Sequence, residues 1–144
     1  MNVKQISIFL ENKKGRLAEL TRVLAENNID ISALSIADTT DFGILRLIVN
    51  QPDMAEKVLK DRGFAVKATN VIAIGVADEP GGLAVALEVL EKENVGIEYM
   101  YAFVSKTTNE ALVIIRADNN DDAIRILGGC GRVRVLDASE VYSL

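Results

Sequence analysis

The chain has no histidine and no tryptophan, one cysteine, two prolines and few aromatic residues. Without histidine there is no imidazole base and no nucleophile–histidine pair. A single cysteine, Cys130, excludes a disulfide framework and any zinc site built from Cys and His. Cys130 lies in the glycine-rich turn GGCGR and reads as a turn or packing residue rather than a reactive thiol. No apolar run approaches the ~18 residues that a membrane-spanning helix needs, and MNVKQISIF lacks the layout of a secretion signal. These absences predict a cytoplasmic protein with no membrane partner. Positive charge is also short: the net charge is −5, which argues against nucleic acid as a partner.

What is present is 49% apolar residues in 144, enough for a packed core made of aliphatic side chains. Charge is uneven along the chain. Residues 1–70 carry ten Lys and Arg against nine Asp and Glu, and residues 71–144 carry six against twelve.

The sequence is doubled. At an offset of 66, Ile6, Ile8 and Leu10 fall on Ile72, Ile74 and Val76, while Gly15 and Leu17 fall on Gly81 and Leu83. Val23, Leu24, Asn28 and Ile31 fall on Val89, Leu90, Asn94 and Ile97. After a two-residue insertion the offset is 68, and Asp53, Ala55 and Leu59 meet Asp121, Ala123 and Leu127. The repeat predicts two units, 1–69 and 70–144.

Each unit parses alike. Alternating apolar residues predict first strands at 3–10 and 71–77. Leu17, Leu20 and Leu24, then Leu83, Leu87 and Leu90, predict amphipathic helices. Second strands follow at 29–37 and 95–104, then turns DTTDFG and SKTTNE, and third strands at 44–50 and 111–117. Second helices are predicted to start at Asp53 and Asp121 and to stop at Gly63 and Gly128–Gly129, before short strands FAVKAT and RVRVLD. The tail ASEVYSL patterns as the start of a further edge strand. The order βαββαβ, twice, predicts an α+β fold of two ferredoxin-like units, each an antiparallel sheet with its helices on one face. Tyr99, Tyr101 and Phe103 share one strand face, where packing against a sheet is expected.

The junction of first strand and first helix raises the functional question. ADEPGGLAVALEVLEKENVGI resembles the signature of ACT domains, and LENKKGRLAELTRVLAENNIDI is similar to it but lacks the proline. The likeness runs over essentially the whole chain as two ACT units. It implies a regulatory protein, not an enzyme, that binds a free amino acid at the strand–helix junction near the meeting of two units. No cofactor or metal is implied. Carried over by position, the ligand-facing residues are Asn12, Lys14, Gly15, Arg16, Leu17 and Asp30 in the first unit. In the second they are Asp78, Gly81, Gly82 and Leu83. LENKKG looks most like the serine-binding regulatory units of the serine-synthesis dehydrogenase, with Leu10 where those have a histidine.

The chemistry suits the expectation. A helix start offers unpaired N–H groups at the positive end of its dipole, which favour a carboxylate. Asn12 can accept from an ammonium or donate to a carboxylate, or equally form an Asx turn. Asp30 reads as an ammonium partner or a solvated strand residue. Lys13, Lys14 and Arg16 read as ligand contacts or as a solvated face. The first junction is balanced for a zwitterion, whereas the second has Asp78 and Glu79 with no cation nearby, so the first is expected to bind more tightly. Expected partners are a metabolic enzyme and a second copy in a homodimer. The competing expectation is a regulatory or assembly subunit of an amino-acid biosynthetic enzyme that works by protein contact alone.

Overall fold

The structure, a computed structural model, describes residues 2–38, 41–104 and 109–144. Most of the turn SKTTNE lies outside the described residues, as do Thr39 and Thr40 of DTTDFG. The chain divides into two compact units: Lys4–Thr69 with Tyr142–Leu144, and Asn70–Val141 with Asn2 and Val3.

In the first unit β1 (Val3–Glu11) is followed by α1 (Arg16–Glu26), β2 (Ile31–Asp38), β3 (Phe42–Val49) and α2 (Pro52–Asp61). The strand order within the unit is β2-β3-β1. Both pairings within the trio are antiparallel, with Ile6 opposite Leu47 and Ile36 opposite Leu45. The helices cover one face. Leu20, Val23 and Leu24 of α1 and Ala55 and Leu59 of α2 pack on Ile6, Ile8, Leu45 and Leu47 of the sheet. Leu17, predicted to continue this stripe, is 40% exposed and lies outside the core cluster.

The second unit repeats the plan. β4 (Ala65–Ala77) enters it at Asn70, and α3 (Gly82–Lys92), β5 (Ile97–Ala102), β6 (Glu110–Ala117), α4 (Asn120–Gly128) and β7 (Arg134–Val135) follow. The order is β7-β4-β6-β5, again antiparallel throughout. Ile72, Ile74, Val113 and Ile115 pack under Ala86, Leu90, Ala123 and Leu127. Cys130 packs at the margin of this core, as a free thiol. Tyr99 and Tyr101 are half-buried and stack with centroids 6.5 Å apart.

The fourth strand of the first unit runs straight through TNVIAI into the first strand of the second, so that the two form one strand, β4. Three expectations need correction. The second helices start one residue early, at Pro52 and Asn120; Asn119 Oδ1 accepts the Asp122 N–H at 3.0 Å and so caps α4. In α3 the buried stripe is Gly82, Ala86 and Leu90, so Leu83 and Leu87 sit to its side. The tail is a helix, α5 (Ala138–Tyr142), not a strand. Asp137 is the reason: its Oδ1 accepts from Ser139 Oγ at 2.6 Å and from the Glu140 N–H at 2.9 Å, closing a helical start. At the last residue of α5, the Tyr142 hydroxyl accepts the Lys4 N–H of β1 at 2.9 Å.

Arg134 binds Glu110 through two guanidinium nitrogens, at 2.8 Å and 3.1 Å, and also pairs with Glu140. The hydrogen bond from Arg134 holds the Glu110 carboxyl below its usual range. A carboxylate shifted this way stabilises the fold above its ordinary value of 4.5 and loses that contribution as pH falls toward its lower folded value. Glu110→Gln is expected to lower the melting temperature at pH 7 by the equivalent of at most about 1 kcal/mol. The difference from the parent protein should vanish as pH drops below 4.5, and a gap that persists into acid would show that the ion pair is not its source.

Candidate functional site

Where β1 ends the chain must reverse, and a short sequence of hydrogen bonds makes it do so. The Asn12 N–H bonds to Asp41 O at 3.1 Å, the Lys13 N–H to Glu11 O at 2.8 Å, and the Arg16 N–H reaches Lys13 O at 3.4 Å. Gly15 then turns the chain with φ 86°, a left-handed conformation in which a Cβ is strained. The first helical bond runs from the Glu19 N–H to Gly15 O at 2.9 Å. No side chain caps the helix. The Leu17 and Ala18 N–H groups therefore open α1 without an acceptor among the described residues. These are the amides available to an anion, one step further along than the sequence suggested, because the turn itself engages the Arg16 amide.

The second junction is a backbone copy. Asp78 bonds to Asn109 O at 3.3 Å, Glu79 to Ala77 O at 2.9 Å and Gly82 to Glu79 O at 3.0 Å. Gly81 carries φ 89°, Val85 bonds to Gly81 O at 3.2 Å, and α3 too has no side-chain cap.

Each junction borders a cleft. The first, of about 180 Å³, has Leu10, Leu17, Ile36 and Leu45 as its apolar walls, Gly43 at its side and Glu11, Asn12, Lys13 and Arg16 at its polar rim. The second, of about 510 Å³, is walled by Val76, Pro80, Leu83, Ala102 and Val113, with Ala77 and Ala111 beside them. Asp78 and Glu79 supply its rim. Position by position the walls match: Leu10 with Val76, Leu17 with Leu83, Ile36 with Ala102, Leu45 with Val113.

Of the expected ligand-facing residues, Asn12, Arg16 and Leu17 border the first cleft and Asp78 and Leu83 the second. Gly15 and Gly81 shape the turns without bordering the clefts, and neither does Lys14. Gly82 is a packing residue: a Cβ there would stand 1.9 Å from the Ala77 carbonyl oxygen. The Arg16 guanidinium is committed elsewhere, 4.3 Å above the Phe64 ring and 3.0 Å from Glu19 Oε2, so its stem rather than its charge borders the cleft. Lys13 Nζ lies 2.7 Å from Glu11 Oε2 and holds that carboxyl below its usual range.

Asp30 is not at this site. It precedes β2 and lies at the far end of that strand, roughly 20 Å from Ile36 at ~3.3 Å per residue. Its N–H bonds to Asn50 Oδ1 at 2.9 Å, its carbonyl accepts the Asn50 N–H at 3.1 Å, and it borders a separate hollow with Ala25, Asn28 and Ile29. Gly96 is braced the same way by Asp118. Both positions serve to start the second strand. The sequence reading missed Ile36, Gly43 and Leu45; only the β1–β3–β2 register brings them beside the junction.

Among the described residues no helix is long and apolar enough to cross a membrane, and no group of three or more His, Cys, Asp or Glu gathers as a metal would require.

Residues 1–129 match a family described as an ACT domain pair. A solved protein of Bacteroides thetaiotaomicron is 51% identical over all of this chain and 98% of its own, with a TM-score of 0.93. The regulatory subunit of aspartate kinase from Thermus thermophilus shares the fold at 17% identity, covering 87% of this chain and 90% of its own, TM-score 0.62. That of Thermus flavus does so at 15% identity, with 88% and 90% covered and TM-score 0.60. No curated protein matches the sequence.

The two kinds of glycine at the junctions are separable by substitution. Gly15→Ala meets open space and only the cost of positive φ, about 1–2 kcal/mol. Gly82→Ala drives a Cβ into backbone and is expected to cost clearly more in urea unfolding. Equal losses would contradict the close packing of α3 on Ala77.

Proposed function

The chain belongs to the ACT domain pair family, and from that premise we propose that it is a non-catalytic regulatory protein that binds a free α-amino acid in the cleft of its first unit. The observation that carries this reading is the uncapped start of α1 beside Asn12 and an apolar wall. The Leu17 and Ala18 amides, at the positive end of the helix dipole, receive the α-carboxylate. Asn12 Oδ1 accepts from the ammonium, with the Glu11 carboxylate on the same rim as its counter-charge. Leu17 and Ile36 enclose the side chain.

Binding would order the β1–α1 turn, and a partner that prefers the ordered turn would gain by ~1–3 kcal/mol of coupling. The partner in this scheme is a metabolic enzyme or a second copy of the chain.

A second reading, regulation by protein contact without a small molecule, is favoured by one observation. The first unit leaves Phe9, Leu34, Ile36 and Phe42 between 41% and 55% exposed. A thermal-shift series with each of the twenty amino acids separates the two. A ligand at a hundredfold its dissociation constant stabilises the native state by about 2.7 kcal/mol, a rise of roughly 5–10 °C for a chain of this size. Calorimetry on Asn12→Ala is then expected to show at least about tenfold weaker binding. No shift with any amino acid, or an unaltered affinity in Asn12→Ala, would favour the contact reading.

A further inference from the structure

The two clefts share a backbone and differ in their walls, and most of the differences run in one direction. Ile36 in the first becomes Ala102 in the second, and Leu10 and Leu45 become Val76 and Val113, each one methylene shorter. The Arg16 stem, which borders the first cleft, is replaced by Gly82, which presents no side chain. Against these losses stand two gains: Gly43 becomes Ala111, and Pro80 walls the second cleft where its counterpart Lys14 does not border the first. The second cleft is the wider and more open of the two, about 510 Å³ against about 180 Å³. Ile36 and Ala102 lie on exposed positions of edge strands, so neither is needed to fill a core, and their difference bears on the cleft.

We propose that the clefts select amino acids by side-chain size, with position 36 and its counterpart 102 as the determinant: the first takes a small side chain, and the second a large apolar one. This rests on the reading of the junctions as amino-acid sites. Both helix starts offer the same uncapped amides to a carboxylate. What each excludes is set by the walls. In the first, Ile36 and Leu17 both wall a cleft of about 180 Å³, which favours a small side chain over a branched or aromatic one. In the second, Leu83, Val76 and Val113 form an apolar floor, Ala102 leaves it open, and the Asp78 and Glu79 carboxylates favour the ammonium end. The second cleft is thus poor for the ligand of the first because a small side chain leaves the apolar floor uncovered.

Calorimetric titration with glycine, L-serine, L-leucine and L-phenylalanine tests this on the parent protein, Ile36→Ala and Ala102→Ile. In the parent, L-leucine or L-phenylalanine is expected to bind one site per chain, and glycine or L-serine another. Ala102→Ile should weaken the large ligand at least about tenfold and leave the small one within about twofold. Ile36→Ala should admit the large ligand to the first cleft, taking its stoichiometry from one to two. Ala102→Val gives the same direction at smaller size if the isoleucine variant unfolds. Binding that ignores both substitutions overturns the size rule while sparing the amino-acid reading. Absence of binding by all four probes in the parent overturns both.

Discussion

One backbone constraint shapes everything of interest here: the chain must leave the first strand and enter the helix through a left-handed glycine. Gly15 at φ 86° and Gly81 at φ 89° impose it in each unit. The turn engages the Arg16 amide but no side chain caps the helix, so the Leu17 and Ala18 amides begin it without an acceptor among the described residues. The same turn leads into Arg16 and Leu17, which border the cleft, Leu17 with 40% of its surface exposed. Donors, dipole and cleft thus meet at one turn, and no charged side chain is required for any of them.

Duplication repeats the junction with different side chains. Four hydrogen bonds recur with the same donors and acceptors at both junctions, although Asn12, Lys13 and Lys14 have become Asp78, Glu79 and Pro80. Where backbone geometry persists through such replacement, the side chains are free to vary, and the rim and walls have varied. Helix N-termini are common and rarely sites. Here the start of α1 borders a cleft with an apolar wall and a carboxamide on its rim.

The doubled fold and the junction itself were legible in the sequence because they depend on local pattern: alternation in Ile6, Ile8 and Leu10, a leucine stripe, and glycines where the backbone turns. What failed depended on where distant segments arrive. Asp30 looked adjacent to the junction as a strand entry, but α1 carries the chain back down the sheet, so that entry lies at the opposite end. Arg16 looked like a free cation until Phe64, far along the chain, was placed beneath it. The tail read as a strand from its alternation, yet Asp137, Ser139 and Glu140 supply a helix start that outweighs a short β pattern. Ile36 carried no signal at all until strand register brought it beside Leu17.

If the start of α1 is the seat of a carboxylate, the amides of Leu17 and Ala18 must feel it before any other part of the unit. A ¹H–¹⁵N correlation titration with the amino acid that most raises the melting temperature observes this directly. The account predicts that these two amides, together with the Asn12 side-chain amide, shift furthest and saturate together. Saturable shifts confined to other parts of the chain, with Leu17 and Ala18 unmoved, would contradict it.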